Sequence, residues 1–240
     1  MAQVIPESWQ VPQRFRQRVG TTAGRQRSMV DGGHLLVILH DVPKPGGESR
    51  DARLFWRAPD GTFKASDSRG DGLPALKRHV EAFKAAVNEL DERVDRAKQA
   101  EEIYQVLRAA APVARTARNL HKALQEAREG VEDKAIISLR DAAGEIERSA
   151  ELVVSDAKNA LDYLEAKAAE EQAAFAKKTA EAQHRLNLLA ALFFPITAIG
   201  SVLGIELTKG LETQGPWLFW TIVAAALVVG IVVRGSITKS

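Results

Sequence analysis

The period of the hydrophobic pattern changes several times along the chain. His34–His40 (HLLVILH) is a short apolar run bounded by Gly32-Gly33 and by the loop residues Pro43, Pro45, Gly46 and Gly47, which predicts a buried strand. Ala52–Ala58 and Thr62–Ala65 flank Pro59-Asp60-Gly61, a turn signal between two more strand-like segments, so 34–66 is predicted as a small β-hairpin sheet. From Pro74 the pattern becomes helical: Leu76, Val80, Phe83, Val87, Leu90, Val94 and Ala97 alternate steps of four and three. Ile136, Leu139, Ala143, Ile146, Ala150, Val153, Ala157, Ala160 and Leu164 repeat that alternation. Pro112 predicts a kink and Gly130 a reversal, giving an antiparallel helical bundle and stalk over 74–185. After Leu164 the seam fails at Lys167 and Glu171, and Leu161, Ala168, Phe175, Ala182 and Leu186 trace a shifted stripe. Only Gly144 could interrupt a helix between Val131 and Leu186, so one helix of roughly 110 Å is expected over 131–205.

The last quarter holds two charge-free apolar runs, 186–205 and 216–233, separated by a polar loop at 206–215. Twenty helical residues span roughly 30 Å, the thickness of a bilayer's hydrocarbon core, so the runs predict a hairpin crossing a membrane twice. Lys177, Lys178 and Arg185 precede it, Arg234 and Lys239 lie in the tail 234–240, and the loop holds Lys209 among Glu206 and Glu212. The positive-inside bias places both termini in the cytoplasm of a multi-pass protein of the cell inner or plasma membrane. Trp217 and Trp220 open the second run where an aromatic belt would lie. The fold class expected is therefore mainly α and membrane-bound, with a small N-terminal sheet and a stalk helix running into the first span.

Bulk composition hides this division, since 27% charged residues and a net charge of +2 average a charged body with an apolar end. The absence of cysteine excludes disulfides and a thiolate nucleophile. Residues 1–33 are broken by Pro6, Pro12, Gly20, Gly24, Gly32 and Gly33 and carry Arg14, Arg16, Arg18, Arg25 and Arg27. They read as a basic flexible arm, either a solvated tail or a contact for anionic lipid headgroups; no nucleic-acid partner and no signal peptide are expected. His34 and His40 are about 20 Å apart along a strand and cannot share a metal. The acids Asp156, Asp162, Glu165, Glu170 and Glu171 interleave with Lys158, Lys167 and Lys177, a pattern of solvated helix pairing. His-Glu-x-x-His, Gly-x-Ser-x-Gly and nucleotide-binding glycine loops are absent, so no enzyme is expected and any flux would be passive.

Inside the first run, Thr197 and Ser201 lie four apart with Asn187 and Phe194 near the same stripe, and Gly200 and Gly204 form a small-xxx-small pair. Period alone leaves two readings open, a pore-lining helix in a ring of subunits or a helix packed within its own hairpin. The segment Leu186–Leu207, LNLLAALFFPITAIGSVLGIEL, resembles the first transmembrane helix of the CorA family of magnesium channels, with its Phe-x-Pro-[Leu/Ile]-Thr core. That resemblance implies a homopentamer with two C-terminal spans in the bilayer and passive flux of a divalent cation such as magnesium. It implies a hydrophobic constriction at Phe194, a pore lined by Thr197 and Ser201 beside Asn187, and an entrance at Gly204-Ile205-Glu206 where the family carries Gly-Met-Asn.

At that entrance Glu206 replaces the asparagine amide with a carboxylate. A ring of carboxylates would bind divalent cations strongly, making Glu206 the candidate metal ligand, while conduction needs sites that release their ions. The same residue also reads as a solvated loop position beyond a helix end. Two functions follow: a CorA-like cation channel or transporter with an atypical entrance, or a non-conducting, membrane-anchored coiled-coil scaffold or effector.

Overall fold

A computed structural model describes residues 4–20, 22–44, 51–67, 72–206 and 217–238, with the backbone alone at 202–206 and at several positions of the last helix. The chain divides into two units, Met1–Ala166 and Lys167–Ser240.

In the first unit β1 (Arg27–Asp31), β2 (His34–His40), β3 (Ala52–Arg57) and β4 (Phe63–Ala65) form an antiparallel sheet in sequence order. Gly32 and Gly33, at φ +57° and +77°, make the two-residue turn that pairs Asp31 with His34. The turn at Pro59-Asp60-Gly61 closes where the sequence places it: the Asp60 carboxylate accepts the Thr62 N–H at 2.9 Å, and Gly61 takes φ +88°.

β2 is buried on both faces. Leu35, Val37 and Leu39, with Phe55 of β3, point into a core shared with three helices: α2 (Gly72–Arg96), α3 (Ala100–Gly130) and the start of α4 (Lys134–Glu206). Leu36 and Ile38, with Leu54 and Trp56, point the other way onto Ile5, Trp9, Phe15 and Val19. The N-terminal residues therefore depart from the flexible arm expected over 1–33. They contain α1 (Gln13–Arg18) and β1, and their spaced apolar side chains cover a sheet face that would otherwise meet water. Arg16, one of the arm's five arginines, donates to the carbonyls of Ile5, Pro6 and Trp9 at 3.3, 3.1 and 2.8 Å.

α2 buries Leu76, Val80, Phe83, Val87 and Leu90, and α4 buries Ile136, Leu139, Ala143, Ile146, Ala150, Val153 and Ala157, most of the two predicted seams; their last positions, Val94 and Ala97 and Ala160 and Leu164, are only half-buried. The reversal near 130 falls at 131–133. There Asp133 caps α4, its carboxylate accepting the Ala135 N–H at 2.9 Å and Arg57 Nε at 2.7 Å. Burial raises the Asp133 pKa, but the Arg57 and backbone hydrogen bonds outweigh it and hold the group below its ordinary value. Pro112 lies inside α3; an additional reversal sits at 97–99, where Gln99 and Glu102 form a reciprocal capping box. His121 and Arg118 of α3 meet Glu147 and Glu151 of α4, the register of an antiparallel pair.

The second unit contains the rest of α4, unbroken through Pro195, and α5 (Trp217–Thr238). Among the described residues no helix is long and apolar enough to cross a membrane. Only parts of 186–205 and 216–233 fall among residues whose side chains are described, and the expected loop lies outside them apart from the backbone of Glu206.

Candidate functional site

The sequence candidates sit on the C-terminal stretch of α4, where helical geometry sorts them. At about 100° per residue, Leu188, Leu192, Pro195, Ile196 and Ile199 fall within about 60° of one direction, and all five are partly buried. α5 packs on this face: a Cβ added to Gly230 would lie 3.1 Å from Leu192 Cδ1 and 3.2 Å from the Leu192 carbonyl oxygen. Asn187, Phe194, Thr197 and Ser201 point about 140–220° away from Leu192, and all four are exposed. Phe194 is 70% exposed, more than any other large apolar side chain described between 186 and 201. A Cβ added to Gly200 would meet nothing within 4 Å. The four residues are thus brought onto one stripe, and packing against α5 does not account for it.

The two hydroxyls on this stripe satisfy their donors locally. Thr197 Oγ1 donates to the carbonyls of Phe193 and Phe194 at 2.9 and 3.0 Å, and Ser201 Oγ to that of Thr197 at 2.8 Å. With its hydrogen committed to the backbone, each oxygen offers lone pairs outward, as an acceptor for water or a cation's hydration shell. Gly204, Ile205 and Glu206 form the last turn of α4; their side chains, including the candidate metal ligand Glu206, lie outside the described set.

The sheet unit contains polar groups that the sequence did not single out. Arg53 pairs with both Asp41 and Asp67 at the open ends of β2 and β4. His79 of α2 lies beside them, between Phe55 and Phe83, with Nδ1 3.6 Å from Asp41 and its side chain 4% exposed. Burial pushes its pKa down to about 4, Asp41 opposing that shift and Arg53 adding to it. Among the described residues no three histidines or carboxylates are placed to hold a metal. His34 and His40 have structural partners, His34 Nδ1 accepting from Trp56 Nε1 at 3.2 Å and His40 Nε2 meeting the Gly24 carbonyl at 2.8 Å.

A four-stranded antiparallel meander backed by three helices, the last continuing into a segment packed by an apolar helix, defines the class: a mainly helical α+β body with a C-terminal helical hairpin. Residues 73–234 match the family described as CorA-like Mg2+ transporter protein, and the chain belongs to that family. The fold is similar to the cytoplasmic domain of ZntB from Vibrio parahaemolyticus RIMD 2210633, at 10% identity and a TM-score of 0.53, over 67% of this chain and 80% of that one. It is similar also to full-length CmaX, at 12% identity and a TM-score of 0.57, over 97% and 83%. The CorA magnesium transporter of Methanocaldococcus jannaschii matches at 12% identity over 92% and 84%, with a TM-score of 0.39. No curated protein matches the sequence.

Proposed function

We propose that the chain assembles as a homo-oligomer, a pentamer on the family's pattern, and forms a passive pathway for divalent cations, magnesium foremost, across the inner or plasma membrane. The runs 186–205 and 216–233 are its two spans, and both termini are cytoplasmic. The observation that carries this reading is the stripe Asn187, Phe194, Thr197 and Ser201, exposed and turned away from α5. In an apolar segment, polar groups that do not face the chain's own second helix face another copy or water. Two spans per chain cannot enclose a pathway, so copies must meet along this stripe, with Phe194 as the constriction. Gly204, Ile205 and Glu206 stand at the outer mouth, where Glu206 would hold the arriving cation.

The mass of the protein–detergent particle is the first test, and a monomer or dimer would end the pore reading. For a larger ring, magnesium uptake into vesicles should occur, and Glu206→Gln should change its selectivity or its block by other divalents. The carboxylate at 206 favours a second reading, a membrane-anchored scaffold or effector that does not conduct. It predicts a ring that assembles and passes no ion.

A further inference from the structure

Just before the apolar part of α4, a shallow open cavity of about 380 Å³ is lined by Lys178, Glu181, Ala182, Arg185, Leu186 and Leu189. Its composition changes along the helix: ionic side chains at one end, leucines at the other. Lys178 and Arg185 fall within about 40° of the direction of Leu192, the residue on which Gly230 of α5 packs. They therefore belong to the α5 side of the helix, opposite the stripe of Asn187, Phe194, Thr197 and Ser201. Among the described residues neither cation has an acidic partner, although Glu181 lies between them at helical spacings of three and four. Arg118 and Arg140 in the first unit, by contrast, are engaged by Glu147, Glu151 and Asp141.

We infer that this groove is a binding site for one anionic phospholipid, with its phosphodiester between Lys178 and Arg185 and an acyl chain along Leu186 and Leu189. The inference rests on the membrane reading above and adds a ligand to it. Charge favours a single phosphodiester: two cations and the Glu181 carboxylate leave the groove at +1. The carboxylate can also accept from a headgroup hydroxyl, which a glycerol headgroup supplies. Position favours a lipid over a soluble phosphate, since the charged end adjoins the first leucine of the apolar run. Cations at that level sit where phospholipid phosphates lie, and each contributes attraction to an anionic leaflet. The direction of the cations favours lipid over a neighbouring stalk: Lys178 and Arg185 lie on the side where α5 packs on Leu192, and the groove runs from there toward Leu189 and Leu186.

The test uses the full-length chain in vesicles of phosphatidylcholine alone and of phosphatidylcholine with a minority of phosphatidylglycerol. Flotation with the first vesicles reports insertion; phospholipid retained through mild detergent purification, quantified by mass spectrometry, reports the site. The wild type should float with both and retain phosphatidylglycerol above its share in the vesicle. The double variant Lys178→Gln with Arg185→Gln should float equally and lose that enrichment by roughly tenfold. The exchange Lys178→Arg with Arg185→Lys should keep it. A wild type that floats but retains lipid in the vesicle's own proportions overturns the inference alone, as does a double variant with unchanged enrichment. A wild type that fails to float with neutral vesicles removes the membrane reading, and the site with it.

Discussion

α4 carries heptad-spaced stripes at both ends, and their fates are opposite. From Ile136 to Ala157 every seam position is buried, because α2, α3 and the sheet of the same chain supply its partners. From Asn187 to Ser201 the stripe is exposed, and the chain's own α5 lies on the other side. A stripe with partners in its own chain stabilises the fold. One without them, composed of an amide, a phenyl ring and two hydroxyls, stays exposed in the single chain, and the proposed pathway gives it to other copies and to ions.

The sharpest way to break this contrast is to truncate one phenylalanine from each environment. Phe83 is 0% exposed in the core of the first unit, and Phe83→Ala should cost about 3–5 kcal/mol of unfolding free energy. Phe194 is 70% exposed, and Phe194→Ala should leave the body's stability within about 0.5 kcal/mol while changing ion flux. Denaturant unfolding followed by Trp9 and Trp56, with Trp217 and Trp220 replaced by Phe, compares the two. Equal losses would mean that the second stripe is a fold element like the first.

Periodic features were legible in the sequence. The HLLVILH strand, the Pro59-Asp60-Gly61 turn, both helical seams and the reversal at Gly130 repeat a local rule often enough to stand out. Gly130 has a further reason, invisible in one dimension: an added Cβ would lie 2.3 Å from Val30 Cγ2 of β1. The N-terminal cover escaped because Ile5, Trp9, Phe15 and Val19 follow no period and lie among arginines that signal solvent, while the contacts that order them are with strands. The turn at 97–99 escaped because glutamine is a rare cap and the seam through Val94 and Ala97 continues past the helix end. For the candidate site, family resemblance and spacing gave the four residues. Only the position of α5 decided which way they face.

Acid should separate the two regions next, because His79 lies in the closed one. Its folded pKa of about 4 lies below the ordinary 6.5, so the neutral ring's contribution to stability is full above pH 6.5 and is lost as pH falls toward 4. The loss is on the order of 3 kcal/mol. His79→Gln should flatten the stability curve over that window, whereas substitutions on the 187–201 stripe should leave it unchanged. Parallel pH profiles for wild type and His79→Gln would remove the buried imidazole from the account.

The finest test compares two glycines in the second unit. Gly230→Ala places a methyl group 3.2 Å from the Leu192 carbonyl oxygen, a fixed backbone atom, so α4 and α5 must separate slightly. The cost should be about 1 kcal/mol, offset in part by alanine's better helix propensity. Gly200→Ala meets nothing within 4 Å in its own chain, so propensity acts alone and the isolated chain gains slightly in stability. If Gly200 is where another copy approaches, that methyl group must weaken the assembly even as it stabilises the monomer. Particle mass at decreasing protein concentration, measured beside thermal unfolding, reads both effects. Gly200→Ala should dissociate at higher concentration than wild type without unfolding earlier; unchanged assembly would move the contact between copies elsewhere along the exposed face.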